Sequence, residues 1–88
     1  MRIDFARSAF RHGVSEERIR YVVEHSRGPT YRPDAIDDGA GLVAFLGPDA
    51  AGVPLEVIAV ELEGDELKVI HAMRLRRRYA AEYRRVNG

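Results

Sequence analysis

The end of this chain carries side chains suited to phosphate chemistry. Leu67-Lys68-Val69-Ile70-His71-Ala72-Met73 reads as a strand, and Arg74-Leu75-Arg76-Arg77-Arg78-Tyr79 follows at once. Six of the thirteen arginines (Arg74, Arg76, Arg77, Arg78, Arg84 and Arg85) fall within residues 74–86. Cleaving RNA without a metal turns a ribose 2′-hydroxyl on its own phosphate. That reaction needs a base for the hydroxyl, an acid for the leaving oxygen, and cations for the charge that builds on phosphorus. His71 can serve as acid or base, because imidazole changes charge near neutral pH. Arg74 and Arg77 can grip phosphate through forked hydrogen bonds. Tyr79 or Tyr83 can stack on a base or donate a proton. The candidate catalytic set is His71, Arg74, Arg77 and Tyr83. The candidate RNA-binding set is Arg74, Arg77, Arg78 and Tyr79. Glu56 joins as a base only if it faces the same side as His71.

Each of these residues also has a purely structural reading. His71 alternates in phase with Leu67, Val69 and Met73, which predicts an apolar face and a histidine bonded to backbone. Tyr79 falls on the Leu75 stripe of the expected helix, where its ring would be core. Arg76, Arg77 and Arg78 cannot all point one way on a helix, so at least one is simply solvated. Glu56 can pair with an arginine across the sheet. His12 and His25 close successive helices, where a protonated histidine complements the helix dipole. No His-x-x-x-His pair exists, and neither a metal nor a cofactor is expected.

Composition narrows the classes. Eighty-eight residues suit a single domain, 1–88, with one modest core. Fourteen basic and fourteen acidic side chains cancel, so only the distribution of charge can suggest a partner. Residues 34–65 hold eight acids (Asp34, Asp37, Asp38, Asp49, Glu56, Glu61, Glu63 and Asp65) and no arginine or lysine. The arginines lie almost entirely toward the two ends. The absence of cysteine excludes disulfides and thiol catalysis. No apolar run approaches the ~20 residues that span a bilayer. The start lacks an apolar signal core, which predicts a cytoplasmic protein.

The elements that must position these residues follow from pattern. Met1–Phe5 is an edge strand or a lead-in. Asp4 caps a first helix over Phe5–Arg11, and His12-Gly13 stops it. Ser15 caps a second helix whose first turn holds Glu16 and Glu17 and whose apolar stripe is Ile19, Val22 and Val23. Val14 can fold back onto that stripe as a staple. Thr30-Tyr31-Arg32 can add a short strand, and Pro33–Gly39 reads as an exposed acidic loop. Leu42–Leu46, Pro54–Leu62 and Glu66–Met73 form an antiparallel meander joined by turns at 47–52 and 63–65. A last helix runs from Leu75 to Val86. The expected class is α+β: two N-terminal helices on a three- to four-stranded antiparallel sheet, with a C-terminal helix beside it. The middle strands are apolar on both faces, so the face away from the helices should meet a second copy or another protein.

Three stretches together resemble a known family. They are His12-Gly13-Val14-Ser15, the hairpin Leu55-Glu56-Val57 with Gly64-Asp65-Glu66-Leu67-Lys68-Val69-Ile70, and the ending Ile70-x-Ala72-x-Arg74-x-Arg76-Arg77-x-Tyr79. This pattern is similar to the BrnT-type toxins of bacterial toxin–antitoxin pairs, small relatives of the RelE/ParE superfamily. The resemblance covers roughly residues 3–86. It implies a RelE-like fold, metal-independent ribonuclease activity, RNA as substrate, and neutralisation by a cognate antitoxin. His71 stands where the family has serine, and Met73 where it has arginine. The missing arginine favours a second reading, a non-catalytic module that binds nucleic acid or a protein through its basic C-terminal helix.

Overall fold

A computed structural model describes residues 2–31 and 41–88. Arg32 and the acidic stretch Pro33–Gly39 lie outside them. Five strands form one sheet in the order β1-β5-β4-β3-β2. They are β1 (Arg2–Phe5), β2 (Thr30–Tyr31), β3 (Gly41–Pro48), β4 (Pro54–Leu62) and β5 (Glu66–Arg74). Four of them, β2 to β5, run antiparallel to their neighbours, whereas β1 joins the far edge parallel to β5. The expectation of an all-antiparallel sheet of three or four strands is corrected on this point. Nothing local to Arg2–Phe5 says which edge it will join. Its alignment is a long-range match, Ile3 beside Leu67 and Phe5 beside Val69.

The helices differ from expectation at both ends of the chain. Only one N-terminal α-helix forms, α1 (Glu16–His25). The Ser15 hydroxyl caps it by accepting from the Arg18 amide, and Glu16 and Glu17 occupy its first turn. The helix expected over Phe5–Arg11 is a single 3-10 turn, Arg7–Phe10. Phe5 belongs to β1, and the few residues left before Gly13 are too few to repay helix nucleation. At the other end, Leu75 donates to the Pro54 carbonyl and prolongs the ladder, and Arg76 remains extended. A 3-10 turn, Arg77–Tyr79, then leads into α2 (Ala80–Asn87).

The two helices cover opposite faces of the sheet. Ile19, Val22 and Val23 of α1 share one core with Val43, Phe45, Leu55, Val57, Ala59, Leu67, Val69 and Ala72, with α1 lying over β3 and β4 and the 3-10 turn, through Ala9, set against β5. Val14 is buried in the same core. On the other face Ala44, Leu46 and Ile58 pack under Leu42, Ile70, Leu75, Tyr79, Tyr83 and Val86. The chain therefore supplies its own cover for the face that was expected to meet a partner. The Asn87 amide pins the end of α2 by donating to the carbonyls of Leu46 and Tyr83.

The hairpin between β4 and β5 turns through Gly64 (φ 76°) and Asp65 (φ 60°), the left-handed conformation in which glycine and aspartate are most at ease. Further along, β5 bulges. Ala59 pairs with Val69 but Ile58 pairs with His71, so Ile70 is an extra residue. The bulge is held from the edge side. The Ala6 amide donates to the Val69 carbonyl, and the Ser8 hydroxyl donates to the Ile70 carbonyl at 2.7 Å. Such an insertion reverses the in–out alternation of everything beyond it.

Candidate active site

That reversal decides where His71 points. In a regular strand His71 would share the α1 face with Leu67 and Val69. Beyond the bulge Ala72 takes the α1 face, and His71 turns to the α2 face with its cross-strand partner Ile58. Glu56, one residue beyond Leu55 and before Val57, also faces that side. The condition set for Glu56 is met: its Oε2 lies 3.0 Å from His71 Nε2.

Glu56 is fully buried, with no side-chain exposure. A carboxylate there must be hydrogen-bonded or it will neutralise itself. Its Oε1 accepts from the Arg76 backbone amide at 2.8 Å, and Oε2 accepts from Arg76 Nε at 2.8 Å. A second guanidinium nitrogen, Nη2, lies 2.6 Å from the same Oε2. Burial pushes the carboxyl upward, but hydrogen bonds from the Arg76 side chain and amide and from His71 outweigh it, and the group ends below the usual carboxylate range. Glu56 raises the Arg76 guanidinium in turn. Glu56 is thus ionised and can only accept hydrogen bonds. His71 Nε2 must carry the hydrogen it shares with Glu56, which leaves Nδ1 as the basic nitrogen. The His71 side chain is 23% exposed, so its ring reaches solvent.

A second imidazole stands beside it. His12, exposed in the loop before α1, meets His71 edge to face with ring centroids 5.5 Å apart. The approach is open because β1 leaves the sheet at Phe5, short of His71. On the other flank the guanidinium of Arg76 lies over the Tyr79 ring at 5.8 Å, and that of Arg78 at 5.4 Å.

The other predicted residues are placed less centrally. Arg74 is the last residue of β5, pairs with Leu55, and by alternation lies on the α1 face, away from His71. Arg77 is exposed in the 3-10 turn. Among the described residues, neither Arg74 nor Arg77 has an ion pair or side-chain hydrogen bond. Tyr83 packs on the α2 face, and burial raises its hydroxyl pKa. Sequence reasoning underweighted Arg76 and His12. The signal for Arg76 is the lone glutamate within the apolar run Leu55–Val60: a buried acid needs a cation, and the nearby cations cluster after β5. His12 carries no such signal, since a loop brings it to His71.

Among the described residues no group of three or more His, Asp and Glu side chains is arranged to hold a metal, and no helix is long and apolar enough to cross a membrane. The chain matches no known protein family, no curated protein and no solved structure.

Proposed function

We propose that this protein is a metal-independent ribonuclease of the toxin type, held in check by a cognate antitoxin, as its resemblance to the BrnT group implies. The observation that carries this reading is the Glu56–His71 contact beside His12: two imidazoles, one of them oriented by a buried carboxylate, on an edge rich in arginine. His71 Nδ1 takes the proton from the ribose 2′-hydroxyl. The O2′–P bond forms, the P–O5′ bond breaks, and His12 in its protonated form gives a proton to the departing 5′ oxygen. Glu56 holds the His71 tautomer and ring orientation, the part a buried carboxylate plays in hydrolytic triads. Arg77 and Arg78 draw the phosphate to this edge.

Met73, the position where the related toxins carry arginine, stands directly across from Glu56. An arginine there would face the carboxylate. Arg76 brings its guanidinium to that carboxylate from three residues further on. The departure from the family pattern thus leaves Glu56 with a cationic partner.

The test is end-group analysis. Purified protein, free of any antitoxin and supplied with excess single-stranded RNA and a chelator, should yield fragments ending in 2′,3′-cyclic phosphate. Induced expression in a bacterial host should arrest growth while total RNA is lost. Intact RNA under both conditions would instead support the non-catalytic binding module.

A further inference from the structure

Next to His12 the surface changes character. Phe10 is 41% exposed, although phenylalanine is among the residues most often buried. It stacks on Phe5 with ring centroids 5.6 Å apart and planes 28° from parallel, and the Arg20 guanidinium lies over Phe5 at 5.2 Å. The ring is therefore braced from behind. A shallow depression beside it is lined by Arg7, Ser8, Phe10 and Arg11. Arg7 and Arg11 are exposed, and among the described residues neither has an ion pair or side-chain hydrogen bond. The backbone turn closed by the Gly13 amide on the Phe10 carbonyl holds Phe10 and His12 together. The proton transfers assigned to His12 and His71 make no use of Phe5, Arg7, Phe10, Arg11 or Arg20.

We propose that Phe10, with Arg7 and Arg11, is a stacking platform for one unpaired base of single-stranded RNA, next to the nucleotide presented to His12 and His71. A braced aromatic ring beside exposed guanidinium groups suits a strand that offers a base face and a phosphate in alternation. Charge complementarity selects this occupant: a purely apolar protein partner would leave both arginines unused, and a duplex offers no free base to the ring. The platform rests on the ribonuclease reading only for its position along the strand. It makes the substrate single-stranded and extends recognition beyond the cut.

A 2′-O-methyl oligouridylate, which cannot be cleaved, separates the two ideas. Its affinity for the full chain should fall about 5- to 150-fold in Phe10→Ala, the range set by loss of one base–aromatic stack. Phe10→Trp should restore it. Arg7→Ala with Arg11→Ala should flatten the plot of log affinity against log salt by about 1.4, two contacts at ~0.7 each. Unchanged affinity in Phe10→Ala, with cleavage by the parent intact, would overturn the platform and leave the ribonuclease standing. Binding through Phe10 by a parent that never cuts RNA would uphold the platform and remove the ribonuclease. Equal losses for the oligonucleotide and for a blunt duplex would overturn the platform, as would an effect of Phe10→Ala on self-association alone.

Discussion

Glu56 joins two functions, holding His71 and tying the segment after β5 to the sheet. Removing Arg76 tests the second. Arg76→Ala strands a fully buried carboxylate that keeps only His71 and a backbone amide. Because the Arg76 side chain is itself 38% exposed, solvent reaches part of the space it vacates, and the loss should be about 1–3 kcal/mol, a drop of roughly 4–24 °C in melting temperature for a domain of this size. The pH dependence follows in sign. Glu56 titrates below its ordinary value in the folded chain, so the unfolded chain holds the proton more tightly. Its stabilisation is complete above the ordinary carboxylate value and is lost as pH falls through the folded one. Glu56→Gln should therefore lower stability at neutral pH and narrow its gap from the parent in acid, as read by denaturant titration at several pH values. A constant gap would show that the charge is not what holds Arg76.

At the scale of elements, the bulge in β5 is what gives His71 its direction. Ser8→Ala removes the hydroxyl that satisfies the Ile70 carbonyl and should cost about 1 kcal/mol, with faster amide exchange at Ile70 and His71 but not in β4. Asn87→Ala should fray α2 from β3 at a similar cost, read as faster exchange in residues 80–87. These same features mark the limit of what could be read in advance. The apolar run between Pro54 and the Glu63-Gly64-Asp65 turn defines β4 as Pro54–Leu62, and Ser15 with its two glutamates defines the start of α1, because each signal is local. The bulge has no such mark. Leu67, Val69, His71 and Met73 keep strict alternation in sequence, and only the contacts of Ala6 and Ser8 at the edge break it. The late start of α2 was hidden for a related reason: helical spacing from Leu75 onward is real, but the pull of Glu56 on Arg76 keeps the first residues extended. Of the candidate site, His71 was legible by residue type. Glu56 was legible conditionally, as a group that counts only on the His71 face, but His12 and Arg76 were not, since they come from the loop before α1 and from beyond the strand end.

Over the whole molecule, a net charge of zero conceals strong asymmetry. The exposed cations Arg7, Arg11, Arg77 and Arg78 surround or flank the two histidines in chain order, whereas the acids of the β4–β5 hairpin, Glu61, Glu63 and Asp65, lie at its opposite end. Binding to RNA should therefore depend steeply on salt despite the neutral total. Replacing Arg74 and Arg77 together by alanine should reduce the salt slope by about 1.4 if both touch phosphate. Since Arg74 lies on the α1 face, the single Arg77→Ala change should account for most of the loss. A double variant that binds like the parent at every salt concentration would move the contact surface elsewhere on the molecule.

The claim at the centre is that His71 moves a proton. His71→Gln can still donate a hydrogen bond to Glu56 yet cannot act as base, so a comparison of its cleavage rate with that of the parent, in excess RNA with chelator present, reads catalysis apart from structure. The variant should keep the parent's melting temperature to within a few degrees and lose about 10²- to 10⁴-fold in rate. A folded His71→Gln variant that cleaves at the parent's rate would contradict the account and leave His71 as a structural partner of Glu56.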